Sequence, residues 1–193
     1  MGNFSFFFNQ FRRIFINLNF IITTLAAYAR SSENLNNYPI FIAFDTIDTY
    51  ERQIPISASW SLPDGQIKTT LINPDEDWEE YILDNPSIDI DLLIDQGATP
   101  AETLKELAHD SEEGSIFCAD YYTDNAAYTE LYEAINSDPS MELSEWQSTL
   151  DTGASGQVEQ MRQWIIEQHS LNIELSEDRV KAMLFSYHEL QYK

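Results

Sequence analysis

Residues 39–72, PIFIAFDTIDTYERQIPISASWSLPDGQIKTTLI, leave this chain few ways to fold. Ile40, Phe41, Ile42, Ala43 and Phe44 form an almost unbroken apolar run, which predicts a strand covered on both faces, ending on the carboxylate of Asp45. After a polar turn, Ile54, Ile56, Ala58 and Trp60 alternate with smaller or polar residues. Leu62-Pro63-Asp64-Gly65 then turns the chain into a second alternating run, 67–72, because Pro presets one turn dihedral and Gly supplies the next. The expectation is a buried strand followed by an antiparallel hairpin, with Asp45 presented at the open end of the first strand.

The 193 residues are 43% hydrophobic and 13% aromatic, enough for one domain with a real core. Against 33 acids stand 10 Lys and Arg, a net charge of −23. Arg12, Arg13 and Arg30 belong to the N-terminal segment, so the body has Arg52, Lys68, Lys105, Arg162, Arg179, Lys181 and Lys193. Such a body repels phosphate backbones at long range, since nucleic-acid affinity comes chiefly from cations that displace counterions. Nucleic-acid work would need a local basic patch or bound metal ions. The acidic surface serves solubility or salt adaptation, or else meets a basic protein. Cys118 is alone in an apolar run, which predicts a buried thiol and excludes a disulfide framework.

Residues 1–37 form an N-terminal extension of different composition, rich in Phe and Asn, with Arg12-Arg13 ahead of an apolar stretch that ends Ala27-Tyr28-Ala29. Those are the parts of an export signal, yet Asn17 and Asn19 interrupt the stretch, and it is short for a membrane span. A cleaved signal, an interfacial anchor and an extension that adds nothing to the fold all remain open. The body lacks extracellular features, which favours the last and a cytoplasmic location. The working domain is expected over residues 38–193.

Beyond the hairpin, residues 73–95 read as acidic and irregular, pinned by Trp78, Tyr81, Ile82 and Leu83. Thr99-Pro100-Ala101-Glu102 opens a helix with cap, first-position Pro and third-position Glu. A short buried strand is expected over 115–119, then a helix over 125–135, a short element over 141–150, a flexible break at 153–156, and closing helices over 157–169 and 176–190. His109, His169 and His188 have no metal-ligand spacing and read as solvated.

This order predicts an α/β fold of ribonuclease H-like type, a mixed sheet flanked by helices. Over about residues 39–190 the chain resembles the DEDD family of 3′–5′ exonucleases, which includes proofreading subunits and RNase T-type enzymes. The resemblance rests on Ile42-Ala43-Phe44-Asp45-Thr46-Ile47, on residues 117–131, and on Ile173-Glu174-Leu175-Ser176-Glu177-Asp178. It implies carboxylates holding two divalent cations, Mg²⁺ or Mn²⁺, across a phosphodiester of single-stranded nucleic acid, with a His or Tyr as general base. Carried over position by position, it assigns catalytic roles to Asp45 and Asp178 and metal ligation to Asp45, Asp124 and Asp178.

The sequence departs from that pattern. Ile47 stands where Asp-x-Glu needs its Glu, Asn125 aligns where the second motif needs Asp, and Ile173 stands where the base belongs. Loss of a placed base alone costs about 10² to 10⁴ in rate. An impaired centre is therefore expected, with rescue open through Asp48 or Glu51, or through a one-residue slip that puts Asp124 in place of Asn125. Without the resemblance, Asp45 reads as a turn-former or helix-cap partner, and Asp178 as an acid placed by the helix dipole.

Overall fold

The computed structural model describes residues 38–192 apart from 51, 112–115, 119–120, 141 and 151–154. The readings of residues 1–37, the candidate acid Glu51, and Gly153 lie outside the described residues.

Three strands form first: β1 (Ile40–Asp48), β2 (Gln53–Ser61) and β3 (Ile67–Leu71). β1 pairs antiparallel with β2, and β2 with β3. The β2–β3 turn rests on Gly65 at φ +83°, a left-handed conformation that glycine adopts without strain. Residues 73–95 are more ordered than their sequence suggests. They contain α1 (Glu79–Leu83) and α2 (Ile90–Gln96), the latter capped by the Asp89 side chain, which accepts from the Leu92 amide at 3.1 Å. Trp78, Ile82 and Leu93 are buried beneath them, but Leu83 points out. Gly97 allows the end of α2 to close on the sheet, because a Cβ there would meet the Asn73 amide nitrogen at 2.4 Å.

Then come α3 (Pro100–Ser111), β4 (Ile116–Cys118), α4 (Tyr121–Ala134), β5 (Leu143–Glu145), a 3-10 turn (Trp146–Thr149), α5 (Ser155–His169) and α6 (Ser176–Tyr192). The capping box at Thr99 forms as expected, with Glu102 Oε2 accepting from the Thr99 amide at 2.9 Å. β4 runs parallel to β1, and β5 parallel to β4, so the sheet order is β3-β2-β1-β4-β5 with β1 at its centre.

Alternation along β1 divides the core. Ile40, Ile42 and Phe44 join Ala58, Trp60, Leu107, Tyr128 and Leu131 on one face. Phe41 and Ala43 join Trp146, Val158, Val180, Met183 and Leu184 on the other. Apolar residues on both sides of one strand are what an unbroken apolar run requires. Cys118 is buried, as its apolar neighbours predict. His188 is not merely solvated, for its Nδ1 lies 2.7 Å from the Tyr38 hydroxyl among the rings of Tyr187 and Tyr192.

One buried acid sits on α4 away from the strand ends. Burial pushes the Glu130 carboxyl above its ordinary pKa, and Arg52, 3.6 Å away, offsets this only in part. The folded state then holds a proton more readily than the unfolded chain, so this group's contribution to stability falls as pH rises through the raised value and recovers as pH falls. Glu130→Gln is expected to flatten that slope, read as the difference in urea midpoint between neutral and mildly acidic pH; an unchanged slope would refute the assignment.

Candidate functional site

β4 is described as far as Cys118, which pairs with Ile42, so among the described residues no strand lies beside the edge of β1 opposite β2 beyond Ile42. The Phe44 N–H and C=O lie on that stretch, and buried backbone groups must find partners. Side chains supply them. The Phe44 amide donates to Asp124 Oδ1 at 3.1 Å, and the Arg179 guanidinium donates through Nη2 to the Phe44 carbonyl oxygen. Arg179 Nη1 also lies 3.3 Å from Asp124 Oδ1, closing a ring of strand, helix α4 and helix α6. Asp124 is 0% exposed.

The helix that carries Asp124 begins at Tyr121 rather than Asn125, which puts this acid in its first turn. Asp124 rather than Asn125 is therefore the buried group beside β1, the arrangement that a one-residue slip of the motif describes.

Asp45, the next residue along β1, is the partner of a helix end. Its Oδ1 accepts from the Ser176 amide at 2.6 Å and its Oδ2 from the Ser176 hydroxyl at 2.8 Å, while the Ser57 hydroxyl donates to Oδ2 as well. Ser59 extends the network, 2.9 Å from both Ser176 Oγ and Thr69 Oγ1. A carboxylate on a helix N-terminal amide satisfies an orphan donor and the helix dipole together. These serines follow from the sequence: Ser57, Ser59 and Ser61 occupy the alternate positions of β2 that face away from Ala58 and Trp60.

Strand β1 does not end at Asp45 but continues to Asp48 through a register shift between Asp45 and Thr46. Asp45 lies opposite Ser57 and Thr46 opposite Pro55, so Ile56 has no partner on β1, although its carbonyl accepts from the Ile72 amide at 3.0 Å on the other side. Pro55 lacks an N–H and suits such a break. Past the shift, Ile47 pairs with Ile54 and enters the same core cluster as Phe44. The side chain expected to face a cation is instead packed in the core, because an irregularity breaks the period-two alternation. Asp48 is exposed and its Oδ1 accepts from the Thr46 hydroxyl at 2.9 Å.

Asp178 is held by its own helix and the segment before it. Oδ2 accepts from the Asn172 amide at 2.9 Å, and Oδ1 from Lys181 Nζ at 2.8 Å. Lys181 also pairs with Glu177 at 2.7 Å. Burial would lower the Lys181 pKa, but its hydrogen bonds to Asp178 and Glu177 outweigh that and raise it. Ile173 is 44% exposed.

The structure thus joins Asp45 and Asp124 through Phe44 and α6, and engages Asp178 separately. Among the described residues, no three Asp, Glu, His or Cys side chains are grouped to hold a metal ion. The donor set as built does not fit a pair of divalent cations, since a guanidinium rests on one carboxylate, hydroxyls and an amide on the second, and an ammonium on the third. Arg179 and Ser57 are the members of this assembly that motif reading passed over. A signal existed: a cation in the first turn of a helix opposes the dipole, and implies a partner elsewhere.

No protein-family model matches the chain, and no curated protein does. Solved structures do match. E. coli Exonuclease I in complex with a dT13 oligonucleotide aligns at a TM-score of 0.51 and 10% identity, over 79% of this chain and 41% of that one. The same enzyme with a dA16 oligonucleotide gives 0.52 at 10% identity, with the same coverage of 79% and 41%. A moderately thermophilic Exonuclease I from Methylocaldum szegediense gives 0.50 at 13% identity, over 80% of this chain and 41% of its own. This chain therefore spans about two fifths of the length of these structures. The likeness establishes the fold: a mixed five-stranded α/β sheet flanked by helices, as in exonucleases of the ribonuclease H-like class. Among the described residues, no helix is long and apolar enough to cross a membrane.

Proposed function

We propose that residues 38–193 form an exonuclease-fold domain that does not hydrolyse phosphodiesters and serves in the cytoplasm as a binding or regulatory module of nucleic-acid transactions. One observation carries this reading: Arg179 places a guanidinium on Asp124 and on the Phe44 carbonyl, beside the stretch of β1 where the fold's chemistry calls for divalent cations. A resident cation with its own hydrogen bonds neutralises that carboxylate permanently, whereas catalysis needs ions that a phosphodiester can share. The tethering of Asp45 by Ser176 and Ser57, the pairing of Asp178 with Lys181, and Ile173 at the place of the base support it further.

The E. coli Exonuclease I structures that match hold dT13 and dA16 oligonucleotides, which makes single-stranded nucleic acid the ligand class to test first. Incubating the full chain with end-labelled single-stranded DNA or RNA and millimolar Mg²⁺ or Mn²⁺ is expected to leave the oligonucleotide intact. Shortening that vanishes in Asp45→Ala would overturn the proposal and install an active 3′–5′ exonuclease instead.

A further inference from the structure

Charge within the described residues is distributed unevenly. Of the described cations, Arg52 pairs with Glu130 and Glu133, Lys68 with Glu106 and Asp110, Arg162 with Glu159, Arg179 with Asp124, and Lys181 with Glu177 and Asp178. No Lys, Arg or His occurs over residues 69–99, while Asp75, Glu76, Asp77, Glu79, Glu80, Asp84, Asp89, Asp91 and Asp95 fall in that interval. Among the described residues, none of these nine acids takes part in an ion pair.

This face is a built platform rather than a loose loop. Trp78, Ile82 and Leu93 are sunk into the core, α1 and α2 pack on each other, and Gly97 brings the backbone against Ile72 and Asn73. With those residues facing in, the helices leave apolar side chains outward as well: Leu83 is 65% exposed and Ile94 46%. Aliphatic side chains held open to water among unpaired carboxylates forgo burial and add self-repulsion, two costs that a partner of opposite charge with its own aliphatic groups removes together.

We propose that the α1–α2 face is a docking surface for a cationic amphipathic segment of a partner protein, its Lys and Arg meeting the acids and its aliphatic residues covering Leu83 and Ile94. Charge complementarity selects that occupant over nucleic acid, which this face repels. The inference stands independently of whether the strand-end carboxylates support hydrolysis.

The test is fluorescence anisotropy of the full chain with a labelled synthetic helical peptide carrying Lys on one face and Leu on the other. Its expected result is salt-sensitive binding, weakened about tenfold or more both by Leu83→Ser with Ile94→Ser and by Asp84→Asn with Asp91→Asn and Asp95→Asn. A control that neutralises Asp138, Glu142 and Glu145 is expected to bind as the parent does. Circular dichroism of each variant confirms that the fold persists. Equal weakening by the control, indifference to the Leu83 and Ile94 changes, or tighter binding of a labelled oligo-dT to this face would each overturn the proposal.

Discussion

Replacing Arg179 by Met is expected to destabilise the domain by about 3–5 kcal/mol, the range for breaking a buried ion pair from one side. Asp124 is fully buried, and the guanidinium that faces it also satisfies a strand carbonyl, so the substitution leaves a carboxylate and a carbonyl each short of a donor. In a domain of this size each kcal/mol moves Tm by roughly 2–4 °C, so a fall on the order of 10 °C is the readout. Arg179→Met combined with Asp124→Asn is expected to recover part of the loss, because the uncompensated charge goes with its partner. A single-variant loss below about 1 kcal/mol would place the pair among solvent-screened surface contacts and remove the main support for a guanidinium permanently seated beside β1.

The second large effect concerns Asp45, and there the sign matters more than the size. Carboxylates gathered to hold metal ions repel one another in the metal-free protein, so removing one relieves strain and commonly stabilises. Asp45 instead accepts from the Ser176 amide, the Ser176 hydroxyl and the Ser57 hydroxyl, and so ties α6 to β1 and β2. Asp45→Ala is therefore expected to cost roughly 2–4 kcal/mol in chemical denaturation, the loss of charge-assisted bonds together with a helix cap. A rise in stability would mean that the carboxylate is strained for ligation, and would return the site to the catalytic reading.

Both expectations bear on what these side chains do for the sheet itself. The edge of β1 past Ile42 needs partners whatever the domain does, because no described residue of β4 pairs with it. Asp124 and Arg179 supply them at Phe44, so these two side chains complete the sheet. Selection for stability alone would then keep them.

Periodicity revealed the frame of the molecule: the two-sided apolar run of β1, the Pro-Asp-Gly turn into β3, the capping box at Thr99 and the stripe of Val180, Met183 and Leu184 are local patterns with local causes. Other features lay beyond it. The two short helices over residues 79–96 are held by burial of Trp78, Ile82 and Leu93 against distant strands, and their composition resembles a loop. The helix over Tyr121–Ala134 starts a turn early, which exchanged Asn125 for Asp124 as the buried group.

By itself the sequence determined the hairpin strands and the longer helices, that Cys118 is buried, that Asp178 stands in the first turn of its helix, and that the body carries a large negative charge, since each depends on neighbours within a few residues. Only tertiary structure decided that Ile47 turns into the core past a register shift, that Arg179 crosses to Asp124 and Phe44, and which acids stay unpaired. Those outcomes depend on contacts between residues up to 135 apart in the chain, and no local spacing encodes which donor reaches which acceptor.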